Sequence, residues 1–262
     1  MEIAPSLIRS RLCAGLPVVL FAPTPAVDPR FVEMAAQAGY HGIWVDQEHQ
    51  NYTDTVIAGL CLACRAGGID PMIRLRKCYA ESHCRGLEMG ATSLMLPHCN
   101  TTAEANAFVR EVKFPPEGNR SADGIEPPAR FGWMPLKEYA EQVNRDIVLS
   151  IQIEEPAAVD NVDALAAVPG VDLLFVGPGD LGLRYAEWGA EKPLTEAAVE
   201  KTARAAAKHG KWWGIPVPDA EAARKRMDQG ATFFVCGSMW GFAYQGFMRF
   251  REMFGEMLGL GE

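Results

Sequence analysis

The sequence predicts a (β/α)8 barrel, and three observations carry the prediction. Eight short apolar runs recur along the 262 residues, each followed by a stretch whose apolar residues have helical spacing. Most of the runs are hydrophobic at consecutive positions, which suits strands of a parallel sheet covered on both faces. Four segments, AGYHGIWVD, MGATSLMLP, PGVDLLFVG and QGATFFVCG, repeat one joint, with Gly39, Gly90, Gly170 and Gly230 just ahead of a run. Glycine at such a place ends a helix in the left-handed conformation. Strands alternating with helices imply a parallel sheet, and eight units in a chain of about 260 residues match the closed barrel. A doubly wound open sheet is the alternative; it loses its main support because no G-x-G-x-x-G follows the first run.

The first run, 18–21, is followed by Asp28-Pro29, a cap ahead of a first-turn proline. The second, 42–46, ends in Asp46-Gln47-Glu48-His49. In the helical stretch after it, Val56, Ile57, Leu60, Cys61 and Cys64 share one face. The C-x-x-C of Cys61 and Cys64 therefore reads as buried helix surface, not as a redox or zinc motif. The third run, 72–75, carries Arg74, and the fourth, 93–96, leads into Pro97-His98. Residues 114–135 break the rhythm with five prolines, three glycines and two arginines. A long loop in a compact domain is usually functional, so a lid or an interface element is expected there. The fifth run, 148–153, ends Gln152-Ile153 ahead of Glu154, and the sixth, 172–176, leads into Gly177-Pro178-Gly179-Asp180. Runs at 212–216 and 233–237 complete the set, giving a single barrel domain over residues 1–262.

The chain's net charge of −8 disfavours nucleic acid and anionic membrane as partners. No apolar stretch is long enough to span a bilayer. The first eleven residues lack the apolar run of a signal peptide, and the seven cysteines show no framework spacing. Reduced thiols in a cytoplasmic protein are the expectation.

Chemistry in such barrels gathers at the carboxyl ends of the strands, and those ends are rich in polar residues here. By the two-residue period of a strand, Gln152 and Glu154 share the inward face. An ionised carboxylate there needs a partner, for which a metal ion or Arg74 would serve. Glu154 and Asp180 on adjacent strand ends make a hard oxygen site suited to Mg2+ or Mn2+. His49 and Asp46 could form a base and its orienter, and Arg74 offers a planar fork for a carboxylate or enolate oxygen. No lysine lies within a run, as a Schiff-base aldolase would require; Lys77, nearest to one, reads as a solvated side chain.

At these residues the sequence resembles the HpcH/HpaI family of class II pyruvate-dependent aldolases, which includes 4-hydroxy-2-oxoheptanedioate aldolase. WVDQEH, PMIR, GATSLMLP, KFPPEGNR, IQIEEPAAVDNVDAL and LLFVGPGDLG are similar to family segments in the family's order. The resemblance implies a pyruvate-type barrel acting on a small-molecule 2-oxo acid and an aldehyde. It implies His49 as the base, Arg74 as the enolate stabiliser, and Glu154 and Asp180 as ligands of Mg2+ or Mn2+, with Co2+ a further candidate. Gln152 and the backbone at Gly179 would position the 2-oxo acid, and Glu88 would tune the histidine. Ser121, the loop ADGIEPPARFGW and His98 depart from the heptanedioate aldolase pattern, at positions that would face the aldehyde half. Rival readings are a citrate-lyase-β-like or malyl-CoA-type lyase, a barrel that binds a 2-oxo acid without turnover, and an isomerase. The resemblance also implies a hexamer, a trimer of dimers that exchange the last helix. The residues agree: Trp240, Tyr244, Phe247 and Phe254 form one helical stripe. Phe242, Phe250, Met253 and Met257 widen it beyond what one barrel flank needs, as in a subunit interface.

Overall fold

The computed structural model describes residues 6–25, 27–76 and 83–259; Lys77 lies outside them. Eight parallel strands close into a barrel in chain order, with β8 hydrogen-bonded back to β1. Helix α1 (Leu7–Cys13) precedes β1 (Val18–Ala22). Then come α2 (Pro29–Gln37), β2 (Gly42–Asp46), α3 (Asp54–Gly67), β3 (Asp70–Arg74), α4 (Arg85–Glu88) and β4 (Ser93–Leu96). Helices α5 (Thr102–Val112) and α6 (Leu136–Asp146) flank a 3-10 segment, Pro127–Gly132, and lead to β5 (Val148–Ile153). The chain continues through α7 (Pro156–Asp160), α8 (Val162–Ala166), β6 (Leu173–Val176), α9 (Pro178–Arg184), α10 (Pro193–His209) and β7 (Trp212–Pro216). It ends with α11 (Ala220–Asp228), β8 (Phe233–Ser238) and α12 (Met239–Leu258). The architecture is the expected (β/α)8 barrel.

The local signals act as read. Gly39, Gly90, Gly170 and Gly230 all take positive φ, from 85° to 108°, a conformation that costs other residues a Cβ clash. Asp28 caps α2 by accepting the Arg30 N–H at 2.9 Å, with Pro29 in the first turn. Cys61 and Cys64 are buried in α3, and burial pushes the Cys61 thiol up to about 12, so it stays protonated and inert.

One strand starts earlier than its apolar run. Strand β3 begins at Asp70-Pro71, which pair with Gly42 and Ile43 of β2. Asp70 belongs there because its carboxylate accepts the Ser6 hydroxyl at 2.7 Å and the Ile8 N–H at 2.8 Å. That anchor docks α1 across the amino end of the barrel. Ile8 and Leu12 of α1 pack with Val18, Leu20, Met72, Met95, Leu173 and Phe233 from inside the barrel. The floor is thus sealed by apolar side chains, and the alternate strand residues form the larger core against the helices.

Residues 114–135 are ordered by specific contacts. The Asn144 amide brackets Phe114, accepting its N–H at 2.8 Å and donating to its carbonyl at 2.9 Å. Buried Arg120 lies over the Phe114 ring and donates to the Tyr139 hydroxyl at 3.2 Å. Above this base Ile125, Phe131 and Trp133 are exposed.

Helix α12 is capped by Ser238, which accepts the Gly241 N–H at 3.0 Å. No residue of α12 is buried, and none of α11 is either. Trp240, Tyr244, Phe247, Met253 and Met257 all stand in solvent around a single chain.

Two glycine substitutions should separate tight from open positions. A Cβ at Gly42 would meet the Asp70 carbonyl oxygen at 2.3 Å and Leu20 Cδ2 at 2.8 Å, whereas one at Gly59, within α3, would meet nothing within 4 Å. Gly42→Ala should cost about 1–3 kcal/mol in urea unfolding, as overpacking does. Gly59→Ala should gain about 0.5–1 kcal/mol from the helix preference for alanine.

Candidate active site at the carboxyl end of the barrel

Asp46 and Arg74 are the last residues of neighbouring strands and stand in register. Arg74 Nε donates to Asp46 Oδ1 at 3.0 Å and Nη2 to Oδ2 at 2.6 Å, a two-pronged pair. Nη1 lies 3.0 Å from Glu48 Oε2, and the guanidinium sits 4.6 Å from the centre of the Trp44 ring. Arg74 is therefore a buried cation fixed in place, not a mobile one.

Asp46 shapes the turn that follows by accepting the backbone N–H groups of Glu48 and His49 at 3.0 and 3.3 Å. The expected pairing of Asp46 with the His49 ring is replaced by this backbone contact, because the carboxylate is already spent on Arg74. The His49 ring is 60% exposed, with Nε2 3.8 Å from Glu48 Oε2. Arg76 pins the same turn through Gln47 O at 2.9 Å and Asn51 Oδ1 at 3.0 Å.

Glu154 is 0% exposed. Its neighbours Leu149, Ile151 and Ile153 face the helices, so Gln152 and Glu154 point inward, as the strand period requires. Gln152 Nε2 donates to Glu154 Oε2, and the His98 N–H donates to Oε1 at 2.6 Å. Gly177 lets the next strand end approach: a Cβ there would lie 2.7 Å from Glu154 Cβ and 2.9 Å from Gln152 Nε2. Burial pushes the Glu154 carboxyl up to about 7, aided by the charges of Glu48 and Asp180 and opposed by His98.

His98, with a left-handed backbone at φ 50°, stands at the centre of the carboxylates. Its Nε2 lies 2.7 Å from Glu48 Oε1, and its Nδ1 lies 2.7 Å from Glu155 Oε1 and 3.4 Å from Glu154 Oε1. One ligand atom each from Glu48, His98 and Glu154 lie within 4.8 Å of one another. Asp180, in the first turn of α9, stands outside that trio, at a range where its charge still raises Glu154. Gly179 beside it borders open space.

The structure therefore brings Asp46, Arg74, Gln152, Glu154 and Asp180 to one mouth, with His49 at its solvent edge. Sequence reasoning gave no role to Glu48 or Glu155, and it read His98 only as a departure that would face the aldehyde half. The signal for Glu48 was its place two residues past Asp46, the last strand residue. Glu88 is not joined to this mouth within one chain. It lies on α4 and its charge acts on Tyr139, and no hydrogen bond or ion pair links it to His49 among the described residues.

The chain is similar to known proteins over nearly its whole length. It is 32% identical over 227 residues to a 5-keto-4-deoxy-D-glucarate aldolase of Salmonella arizonae, covering 86% of this chain and 88% of that one. Its structure superposes on an HpcH/HpaI aldolase from Desulfitobacterium hafniense with a TM-score of 0.91 at 26% identity, covering 99% and 100% of the two chains. The citrate synthase SbnG follows with a TM-score of 0.85 at 25% identity, covering 95% and 98%. The sequence model of the HpcH/HpaI aldolase/citrate lyase family matches residues 18–243, from the first residue of β1 into α12. A barrel with these strand ends, matched over that span, belongs to the HpcH/HpaI aldolase/citrate lyase family.

Proposed function

We propose that this chain is a divalent-metal-dependent aldolase that makes or cleaves 4-hydroxy-2-oxo acids, joining a donor such as pyruvate or hydroxypyruvate to an aldehyde. The observation that carries the reading is Glu154, a carboxylate without solvent exposure in the mouth of a barrel of this family, with more negative charge on Glu48 and Asp180. Burying a carboxylate among others is costly unless a cation shares it. The residues fit such an ion: the donors are hard oxygens, and buried Gln152 Oε1 beside them has no hydrogen-bond partner among the described residues. Glu154 and Asp180 would hold Mg2+ or Mn2+, with Co2+ a further candidate. The Salmonella relative's name supports the substrate class. Read from its keto end, 5-keto-4-deoxy-D-glucarate has a carboxylate, a keto carbon, a methylene and a hydroxylated carbon, which makes it a 4-hydroxy-2-oxo acid.

A cation so placed supplies Lewis-acid stabilisation of the charge that develops on the 2-oxo group. His49, open to solvent, takes the proton from C3 of the donor, or from the aldol hydroxyl in the cleavage direction. Arg74, held by Asp46 and Glu48, presents a fixed positive charge to the substrate carboxylate or to the developing oxyanion. Gln152 and the backbone at Gly179 position the 2-oxo acid.

The same proposal includes a homo-oligomer, a hexamer built from dimers that exchange α12. Helices α11 and α12 both lack buried residues, as expected if each helix waits for the α12 or α11 of another copy. Glu88 would then reach the His49 of that neighbour.

Assayed with a panel of 4-hydroxy-2-oxo acids, the protein should release a 2-oxo acid, lose activity in excess chelator and regain it with Mg2+ or Mn2+. His49→Ala should lower kcat roughly 10²–10⁴-fold with little change in donor affinity. Full activity in chelator, or borohydride trapping of the protein with pyruvate, would refute the reading.

Stability of the chelator-treated protein should depend on Glu154. Its folded-state carboxyl lies at about 7, above the ordinary 4.5, so its contribution is complete below 4.5 and lost as pH rises through 7. Glu154→Gln removes that loss. The variant's thermal midpoint should gain on the wild type between pH 4.5 and 8, by up to about 3 kcal/mol in stability, and a flat difference would contradict the burial argument.

Light scattering should report a mass several times 28.6 kDa. Phe247→Asp with Met253→Asp should break the assembly while the barrel's circular dichroism is kept. A wild-type monomer at micromolar concentration would count against the exchange.

A further inference from the structure

The proposed reaction gives His98 no part, yet this residue touches both charge systems of the mouth. Its backbone N–H donates to Glu154 Oε1 at 2.6 Å. Its ring spans two further carboxylates, with Nε2 2.7 Å from Glu48 Oε1 and Nδ1 2.7 Å from Glu155 Oε1. Glu155 is steadied in turn by Arg184, whose Nη2 lies 3.4 Å away. The other oxygen of Glu48 faces Arg74 Nη1 at 3.0 Å. One residue thus reaches Glu154 through its backbone and the buried arginine through its ring and Glu48.

The hydrogen bonds of Arg74 show why the second link matters. A guanidinium carries five N–H groups. Asp46 takes two of them, from Nε and Nη2. Glu48 engages Nη1, the one nitrogen that Asp46 leaves untouched. One N–H then remains on each terminal nitrogen for a substrate oxygen. Glu48 lies two residues past the end of β2, so its carboxylate needs a second hold, and His98 Nε2 supplies it. The backbone of His98 fits this part. Its φ of 50° is a conformation that a residue with a Cβ adopts at a cost, and in it the N–H meets Glu154 while the ring meets Glu48.

We propose that His98 is a positioning residue, a strut that sets Arg74, by way of Glu48, at a fixed place relative to Glu154, with Glu155 holding its far side. The inference rests on the metal-dependent reading above. It keeps Glu154 and Asp180 as the metal ligands and gives His98 no contact with ion or substrate. Its consequence is geometric: the cation and the arginine grip one 2-oxo acid, and a misplacement of about 1 Å between such groups costs on the order of 10²-fold in rate.

The test separates the backbone of His98 from its ring. Asparagine suits the left-handed turn and keeps the N–H to Glu154, but it is too short to span Glu48 and Glu155. His98→Asn should therefore lower kcat roughly 10²-fold while Mn2+ affinity, read by titration, is unchanged. His98→Gln, long enough to donate to Glu48, should recover part of the loss. Because the ring acts through Arg74, His98→Asn placed in an Arg74→Ala background should cost almost nothing further. Additive losses in that cycle, or Mn2+ affinity falling in step with kcat, would overturn the inference. If His98→Asn fails to fold, the same cycle with Glu155→Ala decides in the same way. If the wild type cleaves no 4-hydroxy-2-oxo acid, the functional reading falls and the strut is judged by a crystal structure of His98→Asn. Glu48 turned away from Arg74 Nη1, with the Asp46 pair kept, would support it, and Glu48 unmoved would overturn it.

Discussion

The site is organised by the cost of keeping a carboxylate out of water. Glu154 has no solvent of its own and takes its stabilisation from the Gln152 amide, the His98 N–H and whatever positive charge enters the mouth. Everything around it serves that need. The bare backbone of Gly177 admits the next strand end to within contact of the carboxylate. The left-handed turn at His98 aims both a backbone donor and a ring at it. The negative charges of Glu48 and Asp180 then raise the demand for a cation instead of lowering it. A protein gains nothing in stability from such a cluster alone; buried charges of one sign are a feature of sites that bind or react.

Arg74 answers the opposite problem. It is a buried positive charge in the same mouth, and Asp46 and Glu48 with the Trp44 face hold it on three sides. The two charge systems share Glu48, whose Oε2 faces Arg74 while Oε1 faces His98. A change at that one carboxylate is felt by both halves. His49 lies outside this rigid frame, on a turn held by its backbone with its ring in solvent. Such a place would suit the proton transfer proposed for it.

Much of this was legible in the chain. Consecutive apolar residues marked the strands because both faces of a barrel strand are covered, and the four joint glycines marked helix ends because positive φ has a steric cause. The inward pair Gln152 and Glu154 followed from the two-residue period. The start of β3 was hidden because Asp70-Pro71 carries turn-forming residues, and only the anchor to Ser6 and Ile8 of α1 explains them. The trio of Glu48, His98 and Glu154 was hidden for another reason. Its members come from three strand ends, and a histidine with positive φ cannot be foreseen from its neighbours. The preference of Asp46 for Arg74 over the His49 ring is likewise a matter of register between β2 and β3, which spacing along one strand does not reveal.

The docking of α1 across the amino end of the barrel divides labour between its two ends. Ile8 and Leu12 pack beneath Val18, Leu20, Met72, Met95, Leu173 and Phe233, so the interior below the polar strand ends is solid. Substitutions at the floor are felt as stability, while the charged groups at the opposite end can be exchanged without opening the barrel beneath them.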